Sequence, residues 1–131
     1  TDEKEILRDI LVCHGETMKK VYGKTIWADL IIDNIKKSKE KFFPIISDVR
    51  FDFEAERLKK EGGAVIHISK MGNQPPNEIE AKNDPLVKAV SDITHTWPEY
   101  EPNDMDECYG HAQILWQMLI QSNEKWQKTY N

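Results

Sequence analysis

No stretch of this 131-residue chain approaches the ~20 consecutive apolar residues that a membrane-spanning helix requires. The opening TDEKEILRD is charged throughout, which excludes reading it as a secretory signal. Basic residues are outnumbered, 18 Lys and Arg against 23 Asp and Glu, for a net charge of −5 without a basic patch. General nucleic-acid binding is therefore not expected. Small anionic ligands stay open, because one or two Arg side chains can hold a phosphate. Cysteine is scarce, with only Cys13 and Cys108, both in segments of helical pattern. Two lone thiols predict a reducing, cytoplasmic setting, and each reads as a small core residue. Four scattered histidines give no second pair to help Cys108 and His111, so no zinc site is expected. No Ser-His-Asp grouping can be proposed either. The chain starts at Thr1, which implies a removed initiator Met or a piece of a longer protein.

What is present reads as one α/β domain over residues 1–131. A chain of this length can bury roughly two-thirds of its unfolded surface. Residues 1–41 have helical spacing: Ile6, Leu7, Ile10, Leu11 and Cys13, a possible break at Gly15, a second helix over Glu16–Val21, and a third capped by Thr25. Phe42–Val49 is a continuous apolar run, the pattern of a strand covered on both faces. Asp52 then caps a helix over Phe53–Glu61, Gly62-Gly63 stops it, and Ala64–Ile68 forms a second strand by a parallel, right-handed crossover. Residues 71–85 are polar and Pro-containing, and read as a loop or flap. Asp92–Trp97 is a third strand with Ile93, His95 and Trp97 on one face. Pro98–Asn103 is a turn-rich connection, and a long helix runs from Asp104 to Lys128.

The stretch IISDVRFDFEAERLKKEGGAVIHI, with Asp48-Val49-Arg50 ending an apolar strand, resembles the later half of bacteriophage-type deoxynucleoside monophosphate kinases. The likeness spans about residues 5–97, with Arg8, Gly15, Lys20 and Trp27 upstream and SDITHTW downstream. It is specific over Phe43–Ser69 and looser elsewhere. It implies an adenylate-kinase-like three-layer fold, here incomplete, with a small parallel sheet of about three strands. It further implies a protein of phage nucleotide metabolism in a host cytoplasm, binding a deoxynucleoside monophosphate. The GxxxxGK[ST] phosphate loop of that family is absent, and the final Trp-rich helix has no counterpart in it. Phosphoryl transfer depends on positioning and charge neutralisation that this loop supplies. No cofactor is therefore expected on this chain, and no activity by itself; ATP and Mg²⁺ would enter only with a partner that brings the loop. The strand carrying the loop lies mid-sheet in such folds, so its absence leaves an open sheet edge for a partner protein or a homo-oligomer to cover.

The resemblance makes Arg50 the grip on the substrate phosphate; an ion pair with Asp48, Asp52 or Glu54 is the alternative. Asp48 would touch base, sugar or metal-bound water, or else cap its turn. Arg57 could reach a phosphate or sit on a solvated face. Arg8 and Lys20 match basic positions of the family, and each is otherwise a surface charge. Trp27 could stack on a base; at helical spacing with Ile26, Leu30 and Ile31 it also reads as core. No catalytic or metal-binding residue is assigned. A second reading is a non-catalytic descendant of the family, in which the surface, including the stripe with Trp116 and Trp126, binds another protein to inhibit or sequester it.

Overall fold

A computed structural model describes residues 2–40, 42–75, 77–98 and 105–124. Five helices and two strands follow one another: α1 Asp2–Tyr22, α2 Ile26–Lys37, α3 Asp52–Lys60, β1 Ile66–Lys70, α4 Glu78–Val90, β2 Ile93–Trp97 and α5 Met105–Ser122. The class is mixed α/β, and no described helix is long and apolar enough to cross a membrane.

Several local expectations hold. Gly23, with φ +103°, ends the helical run, and Gly62, with φ +90°, ends α3. The Gly63 N–H donates back to the Leu58 carbonyl, so α3 closes on a glycine-type stop. A Cβ at Gly63 would lie 3.0 Å from that same oxygen, which favours glycine there. β1 and β2 pair in parallel from Ile66↔Ile93 to Lys70↔Trp97. Ile93, His95 and Trp97 share the covered face of β2, while Thr94 and Thr96 are exposed.

Other expectations are corrected. Phe42–Val49 is not a strand; it has no regular secondary structure, and Ile45 is 84% exposed. A strand needs a neighbour to take its N–H and C=O groups, and Ile45–Val49 makes no backbone hydrogen bond with described residues. Among the described residues the sheet accordingly has two strands rather than three. Gly15 does not break α1, which runs through it as one helix of 21 residues. The predicted flap at 71–85 instead contains the start of α4. Asn77 caps that helix by accepting the Glu80 N–H at 2.9 Å, and Pro85 sits inside it. Asp52 is the first residue of α3; the N-cap is Phe51, with no side-chain cap. Thr25 precedes α2 as expected, but its hydroxyl donates to the Asp29 carboxylate and not to a cap position. The proposed 98–103 turn, the Asp104 start of the last helix and Trp126 lie largely outside the described residues. Cys13 is exposed rather than core, and Cys108 is half-buried.

The hydrophobic centre lies between β2 and α5, where Ile93, Leu115 and Leu119 meet Ala64, Ile66 and Trp97. A second, smaller contact buries Ala28 and Ile32 of α2 and Ala55 of α3. Among the described residues Ala55 is wholly buried, but no large side chain is. Apolar surface stays exposed on α1, where Ile6, Leu7, Ile10 and Leu11 are each 58–68% exposed.

Candidate functional site

The residues singled out by sequence do not converge on one pocket. Asp48 and Arg50 do lie together, in the irregular segment leading into α3. The Arg50 Nε donates to Asp48 Oδ1 at 2.9 Å, its second arm reaches Glu80 Oε1 on α4 at 3.3 Å, and its backbone N–H points at Glu54 Oε2 at 3.4 Å. The ion pair with Asp48 is the alternative weighed from sequence. Arg50 does not stand at the carboxyl edge of a strand, because no strand precedes it. Its side chain remains more than half exposed, and only its Nε and Nη1 are engaged by carboxylates, so a phosphate would share the guanidinium with Asp48 and Glu80 or displace them.

Around this arginine the fold assembles groups that sequence spacing did not single out. Phe51 and Phe53 stack with ring centroids 5.1 Å apart and planes 12° from parallel. The Lys19 ammonium from α1 lies 4.2 Å from the Phe51 ring centre, and Lys24 lies 5.1 Å from that of Phe53. Glu54 is half-buried beside them. Burial pushes its carboxyl above the ordinary 4.5, although hydrogen bonds from the Arg50 and Phe51 backbone and the nearby Lys19 charge oppose the rise. The sequence signal for this group is FDF directly after Arg50, and it becomes legible only once α1 is seen to bring Lys19 alongside. The result is a stacked aromatic pair with Lys19 and Lys24 over its rings and Arg50 adjacent in sequence, with Glu16, Asp48, Glu54 and Glu80 as counter-charges.

The remaining site residues are elsewhere. Arg57 belongs to a charge network joining α2 to α3: its Nε donates to Asp29 Oδ1 and its Nη1 to Glu61 Oε1, both at 2.7 Å, while Lys36 pairs with Glu61 Oε2 at 2.7 Å. Hydrogen bonds to Glu61 and then Asp29 raise the pKa of its guanidinium. Hydrogen bonds from Lys36 and Arg57 lower the carboxyl of Glu61. Asp29 is lowered chiefly by the Thr25 hydroxyl, with Arg57 adding to the effect. This arginine is a brace between helices. Arg8 and Lys20, both exposed, are 12 residues apart on α1, about 18 Å along its axis, and cannot meet on one small ligand. Trp27 is half-buried against His14, ring centroids 5.9 Å apart, and so serves mainly as packing.

Three histidines lie at or near the sheet. His67 on β1 is buried, with Nε2 2.8 Å from Asp84 Oδ1. His95, Trp97 and His111 form a ring cluster on the α5 side, with centroids 4.9–5.3 Å apart. No group of three metal-ligating side chains forms among the described residues. One open groove of about 560 Å³, lined by Glu56, Lys59, Lys60, Val90 and Ser91, lies at the opposite end of α3 from Arg50. It has no feature linking it to the site expected from sequence.

The chain matches no family model, no curated protein and no solved structure.

Proposed function

We propose that the chain is the acceptor-side part of a deoxynucleoside monophosphate kinase-like protein, inactive until a second polypeptide segment supplies the strand and loop that hold ATP. One observation carries this reading: among the described residues β1 pairs along one edge only, and the apolar run Ile45–Val49 has no backbone partner. A sheet missing a strand between these two segments would leave both in this condition. Near Arg50 the stacked Phe51 and Phe53 rings carry Lys24 over them as a second cation for a monophosphate, while Lys19, over Phe51, is already paired with Glu16 at 2.6 Å. Calorimetry against a panel of deoxynucleoside monophosphates tests the reading. Binding that is lost in Arg50→Ala is expected, and transfer from ATP only after a loop-bearing partner is added. No binding to any member of the panel overturns it.

The second reading, a non-catalytic protein that binds another protein, is favoured by two observations. Carboxylates already occupy Arg50, and α1 exposes Ile6, Leu7, Ile10 and Leu11. Absence of nucleotide binding together with a stable complex with a partner protein would establish it.

A further inference from the structure

The kinase-like reading depends on Arg50, and two carboxylates already hold that side chain. They are not equivalent. Asp48 lies two residues away on the same irregular segment, and its side chain is 76% exposed. Glu80 comes from a different element, α4, and its side chain is only 29% exposed.

The fold prepares Glu80 for this place. Asn77 caps α4 and Glu80 stands three residues on, the spacing of a capping box. Asn77 Oδ1 accepts the Glu80 N–H at 2.9 Å. The glutamate of such a box ordinarily turns back to the cap's own N–H. Here its Oε1 accepts from the Asn77 side-chain amide at 3.4 Å and lies 3.3 Å from Arg50 Nη1. One turn later Asp84 meets the buried His67 of β1 at 2.8 Å, which fixes the helix that carries Glu80.

A guanidinium offers an oxyanion two forks, Nε with Nη2 and Nη1 with Nη2. Asp48 takes a nitrogen of the first and Glu80 a nitrogen of the second. A phosphate gripped by two N–H groups at once therefore has to move one carboxylate aside. We infer that Glu80 is an internal competitor: its carboxylate sits on the end-on fork of Arg50 in place of a phosphate and sets how tightly a monophosphate is held there. The inference rests on the monophosphate-binding reading and adds to it a residue that the sequence did not single out.

Calorimetry of the purified chain with each common deoxynucleoside monophosphate tests it through two variants. Glu80→Asp keeps the charge and the capped N–H but draws the carboxylate back by one methylene. Glu80→Gln keeps the length and removes the charge. Both should tighten binding by about two- to fivefold, the range expected from releasing an exposed ion pair. Glu78→Gln removes a charge from the same helical turn at a residue that is not a partner of Arg50, and should leave affinity unchanged. If the parent binds and Glu80→Asp binds no more tightly, the inference is overturned and the binding reading stands. Equal tightening in Glu78→Gln also overturns it, because net charge alone then explains the effect. A parent that binds no monophosphate overturns the reading and the inference together.

Discussion

Arg57 on α3 reaches across to Asp29 on α2, its Nε donating to Oδ1 at 2.7 Å. The same guanidinium holds Glu61, so one side chain joins two helices whose apolar contact is confined to a few residues such as Ala28, Ile32 and Ala55. The folded protein holds both carboxyls below their ordinary values of 3.8 and 4.5. A lowered folded pKa adds stability that is present above the ordinary value and is lost as pH falls through the folded one. Denaturant midpoints should therefore decline between about pH 5 and pH 3, and Asp29→Asn should flatten that decline. An unchanged slope in Asp29→Asn would mean that the brace contributes nothing.

Glu54 has the opposite sign. Its folded pKa lies above 4.5 because burial penalises the charged form, so the folded state is disfavoured once pH rises past that value. Glu54→Gln should stabilise the protein at neutral pH by about 0.5 kcal/mol or less, given that the group is only half-buried. The advantage should vanish in acid, where the parent carboxyl is itself neutral. Paired urea titrations at pH 7 and pH 4 would show this.

The contact between β2 and α5 is the main apolar one, and Leu119 is central to it. Leu119→Ala should cost about 2–5 kcal/mol, a large part of the stability of any small domain. Ile45→Ala, at a position 84% exposed, should change the stability of the single chain by under about 0.5 kcal/mol. Thermal unfolding measured at low protein concentration would separate them.

Arg50 and Arg57 make contrasting predictions. Arg50→Ala should abolish monophosphate binding and shift stability by under about 0.5 kcal/mol, since its ion pairs are exposed. Arg57→Ala should lower the melting temperature while leaving any monophosphate affinity within twofold of the parent. If the two variants exchange these phenotypes, the site has been placed on the wrong arginine.

Helices and turns were legible in the sequence where local chemistry decides them. Gly23 and Gly62 mark their stops through positive φ, and the alternation of Ile93, His95 and Trp97 marks its strand. Phe42–Val49 was misread because a strand is a property of a pair: the right composition was present and the neighbour was not. The start of α4 was hidden for the converse reason. Pro75, Pro76 and Pro85 outweighed a helical signal whose decisive element is the Asn77 cap. At the site, the Asp48–Arg50 pairing joins residues two apart in the chain. The approach of Lys19 to Phe51, and of Glu80 to Arg50, depends on how α1 and α4 pack, which no local pattern encodes.

Pro85 divides α4 into unequal halves. It has no N–H to give the Ala81 carbonyl, so the ladder has a missing rung in the middle of the helix. After that gap, Val87 is buried and the Lys59 ammonium donates to the Val90 carbonyl. Before it, anchorage comes from the Asn77 cap and from Asp84 and Glu80 reaching His67 and Arg50. The helix is therefore built to fray from its amino end as far as the proline, as a separate low-energy opening unit. A ligand that recruits Arg50 away from Glu80 would loosen that unit and leave its neighbour beyond Pro85 in place.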